Sequence, residues 1–325
     1  MRALIMEQFK QPKFAKNFPI PEPKEGQVLI KVEAAPINPS DLSYINGQYG
    51  KEAKFPVVLG FEGSGTIVKS GGGAYADSLV NKRVAFSAET GSYAEFCLAK
   101  ATSVVPISDN LTFSQASCSF VNPLTCVAFL EIVKEAGVKA IVHSAAASAL
   151  GKMVVRYFQQ NGIKVINLVR RQEQVDTLKA IGAEYVLNQT DPNFNQELSK
   201  LSEELQATIF FDAVAGTTTA DVVFQMPRGS TVYVYGGLSG QESLIGPRVL
   251  IFKDATVKGF WLSPWLGKLK LEQIVSLVKK VQTLLTSDLK TDIAGEEKLE
   301  NFSQALEKYA KNMSAGKILF RPTLL

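Results

Sequence analysis

The sequence predicts an α/β chain of two domains, one a mainly antiparallel β-barrel-like domain and the other a doubly wound parallel sheet covered by helices. Three observations predict this. The chain has 325 residues, more than one ordinary domain needs. Up to about residue 120, short β-rich runs alternate with Gly, Pro and Asn turns, the pattern of an antiparallel barrel or sandwich. From Asn122 onward, apolar strands alternate with amphipathic helices, as in a parallel sheet buried on both faces.

In chain order, the opening MRALIMEQF reads as a first strand, because its apolar run is too short for the core of a targeting segment. Strands follow at Val28–Val32, Gly65–Val68, Arg83–Phe86 and Tyr93–Leu98, with irregular loops such as the Gly71–Gly73 triplet between them. The second domain opens with a strand at Ala140–Val142 and a helix over Gly151–Gln160. A strand at Val165–Val169, a helix around Val175–Ile181 and strands at Ile209–Ala213 and Thr231–Tyr235 continue the series. Leu271–Leu285 and Leu299–Tyr309 carry apolar residues at helical spacing. The closing run Lys317–Phe320 is a strand expected to return to the first domain's sheet. The expected boundaries are 1–121, with 262–325 returning to it, and 122–261.

Composition narrows the function classes. With 46% hydrophobic and 20% charged residues and a net charge of +4, the chain is ordinary globular material. No basic block interleaved with aromatics points to nucleic acid, and no apolar run approaches the ~20 residues of a membrane span. A small-molecule partner and a cytoplasmic location are the expectations. Cys97, Cys118 and Cys126 are scattered, and His143 is the single histidine. That set provides no four-ligand zinc site and reads as buried thiols.

The stretch Ile141–Val169 reads IVHSAAASALGKMVVRYFQQNGIKVINLV: strand, small-residue turn, helix, strand. This is the first βαβ unit of a dinucleotide-binding fold. Its turn is AASALG, with Ala146 and Ser148 at the first two glycine positions of G-x-G-x-x-G and Gly151 keeping the third. Backbone N–H groups at Ser148, Ala149, Leu150 and Gly151 would meet a pyrophosphate at the helix N-terminus. After the second strand, where an NAD enzyme places an acid for the ribose 2′-OH, stand Arg170 and Arg171. Two guanidiniums there suit a 2′-phosphate and hence NADPH.

Several segments together resemble the medium-chain dehydrogenase/reductase superfamily over nearly the whole chain. Gly60-Phe61-Glu62 with Gly65 and Gly71 is similar to its G-H-E-x-x-G-x5-G element, with Phe61 where zinc alcohol dehydrogenases carry a metal-binding His. Their Cys ligand falls opposite Asn38 in PINPSD, and the cysteine-rich lobe for a second zinc is missing. The resemblance therefore points to the zinc-free branches with a GroES-like catalytic domain, the quinone oxidoreductases and 2-enoyl-thioester reductases. INPSDLSYINGQYG, Asn122-Pro123-Leu124-Thr125, and YGGLSG followed by LIFKDATVKGFWLSPW resemble the enoyl-thioester reductases more closely.

The resemblance implies roles. Tyr49 matches the tyrosine that donates a hydrogen bond or proton near the thioester, Asn38 and Thr125 match groups at the nicotinamide end, and Tyr235 and Gly236 lie in the cofactor-facing YGG segment. From the residues themselves, Phe61, Phe252 and Trp261, with Trp265, would line an apolar substrate pocket, Asp41 would support the loop, and Lys253 would be a solvated or phosphate contact. The expected function is zinc-independent, NADPH-dependent reduction of an activated C=C bond, such as a 2-enoyl thioester or enone, or of a quinone. The alternatives are an NADPH-binding redox sensor with little catalysis, motivated by the altered turn, and a zinc-type alcohol dehydrogenase with unusual ligands. Relatives pair through the edge of the nucleotide-binding sheet, so a homodimer is expected, with the edge near Thr231–Tyr235 or just after it.

Overall fold

The computed structural model describes residues 1–323 and forms two compact units, Met1–Pro123 with Ser276–Leu325, and Leu124–Val275. Residues 262–275 group with the second unit, whereas the sequence reading starts the return at 262. The opening run is a strand, Ala3–Met6, buried throughout.

The first unit holds two sheets. In the smaller, Ala3–Met6 lies between Pro12–Ala15 and Val57–Val58. The larger runs Ile293–Glu297, Lys317–Phe320, Gln27–Pro36, Glu62–Ser70, Arg83–Ser87, Val104–Pro106, and Phe96–Lys100 also pairs with Gln27–Pro36. Only its Ile293–Glu297 and Lys317–Phe320 pair is parallel. The closing strand thus joins the first unit's sheet, with Leu319 opposite Pro36 and Phe320 opposite Ala35.

Gln27–Pro36 is the spine of this sheet. Val28, Ile30 and Val32 alternate into a core shared with Ile67, Val84 and Phe86, as a strand period of two requires. Its pairing with Glu62–Ser70 shifts register between Val32 and Ala34. Gly65 sits at that shift, where a Cβ would stand 2.1 Å from the Lys31 carbonyl oxygen; only glycine allows the strands to approach so closely. The expected strand Tyr93–Leu98 starts later, at Phe96. The reason is competition: the Tyr93 amide bonds Leu59, and the Tyr93 carbonyl accepts from Leu4, before the chain reaches Gln27–Pro36.

The second unit is one six-stranded parallel sheet in the order Tyr185–Asn188, Lys164–Val169, Ala140–His143, Ile209–Asp212, Thr231–Val234, Thr256–Gly259. In chain order that is 3-2-1-4-5-6, the doubly wound arrangement of dinucleotide-binding folds. Val142, Ile166, Phe210 and Val232 fill the core under it. Thr231–Val234 is interior, so the edge strand is the next one along, Thr256–Gly259. Helix Ala149–Gln160 starts at the expected turn and buries Leu150, Met153, Val154 and Phe158. Among the described residues, no helix is long and apolar enough to cross a membrane.

Candidate functional site

In the first unit, the sequence places the chemistry on the loop after Gln27–Pro36. Asn38 precedes the helix Pro39–Ile45, and Asp41 closes a capping box with it, the Asn38 backbone N–H donating to Asp41 Oδ2 at 2.8 Å. Asn38 is 0% exposed. Its Nδ2 donates to Glu62 Oε1 at 2.9 Å, and its Oδ1 accepts from the Lys317 ammonium.

Lys317 is buried on the closing strand, where all four residues are buried. Its other two donors go to the Ile37 carbonyl at 2.9 Å and the Tyr309 hydroxyl at 3.0 Å. Glu62 Oε2 accepts the backbone N–H groups of Phe120 and Val121, at 2.9 and 3.1 Å. A chain of polar groups, Tyr309–Lys317–Asn38–Glu62, therefore runs through an otherwise apolar core. Lys317, Tyr309 and the role of Glu62 escaped the sequence reading. The available signal was a lysine inside the apolar run GKILF.

The charges in this cluster are unequal. One cation, Lys317, faces two buried carboxyls. Burial raises the Glu62 pKa, opposed by its hydrogen bonds to Asn38, Phe120 and Val121. Burial pushes Asp41 up to about 7, against the lowering effects of the Asn38 amide, the Tyr93 hydroxyl and Lys317, and nearby Glu62 adds to the rise. Tyr93 is itself pushed well up by burial. Asp41 thus caps the loop's helix from a titratable position.

Next to this cluster lies an aromatic group. Tyr49 is half-buried, its ring centroid 5.1 Å from that of Phe61, and Tyr44 lies 5.4 Å from Phe61 on another side. Lys51, not singled out by the sequence, sets its ammonium 5.4 Å from the Phe61 centroid. The structure therefore brings Tyr49 and Phe61 together.

In the second unit, Ser148 caps the helix Ala149–Gln160, its Oγ accepting from the Gly151 amide at 3.1 Å. Ala149 and Leu150 open that helix, so their N–H groups have no carbonyl one turn back within it. Gly151 is obligatory: a Cβ there would stand 2.1 Å from the Ala146 carbonyl oxygen. Ala145 takes φ +49° to make the turn. Arg170 and Arg171 leave the carboxyl end of Lys164–Val169 exposed, with Arg171 Nε 3.0 Å from Glu173 Oε1. Thr125 is buried in the helix Val121–Glu135.

Gly236 follows Tyr235 and packs on the turn after Ile209–Asp212, where a Cβ would meet the Ala213 carbonyl oxygen at 2.8 Å. Asp212 organises that turn. It accepts from Ser144 Oγ at 2.8 Å, Val214 N at 2.9 Å and Thr219 Oγ1 at 2.7 Å. The Tyr235 hydroxyl lies 2.8 Å from His143 Nε2. Phe252 is 71% exposed and Trp261 42%, so neither is buried core. Lys253 donates to the Met226 carbonyl at 2.7 Å. Among the described residues, no group of three or more His, Cys, Asp or Glu side chains is placed to hold a metal.

A small-residue turn opening onto a helix N-terminus, on a 3-2-1-4-5-6 sheet joined to a mainly antiparallel unit, invites comparison with known proteins. Residues 24–109 match a family model described as alcohol dehydrogenase GroES-like domain, and residues 149–280 one described as zinc-binding dehydrogenase. The mitochondrial enoyl-[acyl-carrier-protein] reductase of Arabidopsis thaliana is 30% identical over 267 residues, covering 81% of this chain and 71% of that protein. The chain belongs to the medium-chain dehydrogenase/reductase superfamily.

Other members of the superfamily agree. The human mitochondrial enoyl-[acyl-carrier-protein] reductase is 26% identical, covering 93% of this chain and 83% of its own. A structure from Mesorhizobium loti described as an NADPH:quinone reductase is 34% identical, with a TM-score of 0.89 over 99% of this chain and 98% of that one. The NADPH complex of Escherichia coli quinone oxidoreductase is 20% identical with a TM-score of 0.88, covering 99% of this chain and all of that one, and speaks for the fold.

The buried cluster makes stability depend on pH. Asp41 binds its proton more tightly when folded, so its support for folding is complete below its unfolded pKa near 3.8 and fades as pH rises to about 7. Asp41→Asn keeps an acceptor for the Asn38 amide and removes the titration. In urea unfolding, the stability difference between variant and wild type should move in the variant's favour from pH 4 to 7, by at most about 1.4 kcal/mol per pH unit. Parallel curves would show that Asp41 does not titrate in this window.

Proposed function

We propose that this chain is a zinc-independent, NADPH-dependent oxidoreductase that reduces an activated C=C bond, with a 2-enoyl thioester or similar enone preferred over a quinone. The observation that carries the reading is the state of Asn38. By the resemblance, Asn38 and Phe61 stand where zinc enzymes of the superfamily keep two metal ligands. Phe61 has no donor atom, and the Asn38 amide is held at both ends, by Glu62 and by the Lys317 ammonium. A buried ammonium repels a dication, so the donor set does not fit zinc. The family model described as zinc-binding covers residues 149–280, outside both positions.

The second unit fits the nucleotide. The first-turn amides of Ala149 and Leu150 are oriented for a pyrophosphate, Gly151 lets the helix start close to the sheet, and Arg170 and Arg171 stand at the end of strand 2 for a 2′-phosphate. NADPH, when bound, supplies the hydride. The protein's remaining task is to stabilise negative charge on the substrate carbonyl oxygen, and without a metal this falls to hydrogen-bond donors. Tyr49, half-buried against Phe61, is the candidate donor. Asn38, with its amide engaged and no exposed surface, holds the loop that carries Tyr49. The enoyl-thioester preference rests on the curated relatives, the quinone alternative on the quinone reductases among the solved structures.

We place the expected homodimer at the edge strand Thr256–Gly259. The neighbouring Leu250, Ile251, Phe252 and Trp261 are exposed apolar residues, an arrangement that marks an interaction surface. Cytoplasm remains the proposed location. Light scattering should give about twice the 35.4 kDa chain mass, and a monomer at micromolar concentration would refute the pairing.

A screen of enoyl-CoA, alkenals and quinones, read as NADPH oxidation, tests the class; no oxidation with any of them would refute it. Arg170→Ala with Arg171→Ala should weaken NADPH binding roughly tenfold or more, the cost of a charge-assisted contact, and leave NADH binding nearly unchanged. Equal weakening of both would show that the arginines do not read the phosphate. Tyr49→Phe deletes one hydroxyl. With an enoyl thioester, kcat should fall by about 10²–10³, the usual cost of a lost oxyanion donor, at unchanged NADPH affinity. An unchanged kcat would remove Tyr49 from the chemistry and favour quinones.

A further inference from the structure

Three turns leave the carboxyl ends of adjacent strands in the parallel sheet: after Ala140–His143, after Ile209–Asp212 and after Thr231–Val234. Ligands of such sheets bind outside these ends, and a dinucleotide crosses the switch point between strands 1 and 4. Arg170 and Arg171, at the end of strand 2, lie on the adenosine side. The nicotinamide half therefore falls beside the turns after strands 4 and 5, the latter being Tyr235-Gly236-Gly237.

That turn rests on its neighbour. Leu238 N and Ser239 N donate to the carbonyls of Ala213 and Val214, at 3.0 and 2.9 Å, and Gly236 packs on Ala213. Its one side-chain anchor is the Tyr235 ring, which packs edge-on to Phe129 at 4.9 Å and reaches across strand 4 to His143 Nε2 at 2.8 Å. His143 is fully buried. Desolvation drives its pKa down to about 3, so it is neutral. Asp212 and Cys126 are the other titratable groups facing Tyr235.

Counting protons sets the tautomer. His143 Nδ1 has no hydrogen-bond partner. If Nε2 carried the proton, the Tyr235 O–H would lack this acceptor and the bare Nδ1 would also be unpaired. If Nδ1 carries it, the Tyr235 O–H donates to Nε2 and only Nδ1–H is unpaired. Burial of unpaired polar groups is costly, so the second arrangement wins.

We propose that His143 is a positioning residue. As a neutral acceptor it holds the Tyr235 hydroxyl and so fixes the Tyr235-Gly236-Gly237 turn that receives the nicotinamide half of the cofactor. The inference rests on the NADPH reading above but is tested separately from it.

The single histidine gives an unambiguous probe. In the free protein labelled with ¹⁵N-histidine, NMR should show one protonated and one bare ring nitrogen, the protonated one being Nδ1, unchanged from pH 5.5 to 8. A titration near the ordinary 6.5, or an Nε2–H tautomer, overturns the pairing. Calorimetry tests the consequence with NADPH and with 2′-phospho-ADP-ribose, which lacks nicotinamide. Tyr235→Phe and His143→Leu should each weaken NADPH about three- to tenfold, the range for one hydrogen bond, with 2′-phospho-ADP-ribose unchanged. His143→Gln, whose amide oxygen can accept the same O–H, should recover most of the loss. If His143→Leu folds poorly, Tyr235→Phe alone carries the comparison. Equal losses for both ligands, or no loss of NADPH affinity, overturn the role of His143. A wild type that binds neither ligand overturns the NADPH reading instead.

Discussion

The first unit depends on keeping one ammonium group in its core. Moving a charge from water into a protein interior costs several kcal/mol unless its donors find partners. Lys317 meets this condition fully, because its three N–H groups reach the Ile37 carbonyl, Asn38 Oδ1 and the Tyr309 hydroxyl. Those partners come from the closing region of the chain and from the loop after Gln27–Pro36. Satisfying one cation thus ties the last strand to the loop that carries Asn38, and Glu62 extends the tie to the start of the helix Val121–Glu135. Two carboxyls facing one ammonium also favour a proton on Asp41, whose pKa burial raises to about 7.

The second unit solves a different problem with different means. Its interior strands are mostly apolar, and a network of polar groups gathers where they end. There Asp212, Ser144 and Thr219 satisfy the backbone of the turns, and His143 satisfies Tyr235. A parallel sheet with chain order 3-2-1-4-5-6 makes those ends adjacent. Side chains far apart in sequence, such as Ser144 and Asp212, can then share one hydrogen-bond network.

Much of this was legible in the sequence, and the divide follows the range of the interactions. Strand positions such as Lys164–Val169, and the helix beginning at the AASALG turn, follow from local periodicity, and the need for Gly151 follows from the turn's own geometry. What stayed hidden depends on non-local packing. Nothing local to Lys317 shows that it meets Asn38, 279 residues away. Nothing near His143 shows that it meets Tyr235, 92 residues on. The exposure of Phe252, at the end of the short helix Pro247–Phe252, is likewise not written in the residues around it.

The buried cluster also constrains where chemistry can occur in the first unit. A group can stabilise charge on a substrate only if its donor can reach solvent-accessible space. Lys317 is buried with its three donors engaged, and Asn38 is buried with its side chain bonded to Glu62 and Lys317. Glu62, buried and accepting three hydrogen bonds, has no proton to give while ionised. Beside this polar chain, Tyr49 and Lys51 both lie against the Phe61 ring. On the proposed zinc-free reading, positions 38 and 61 hold structure instead of a metal, and Tyr49, on the same loop as Asn38, is the group proposed to meet the substrate.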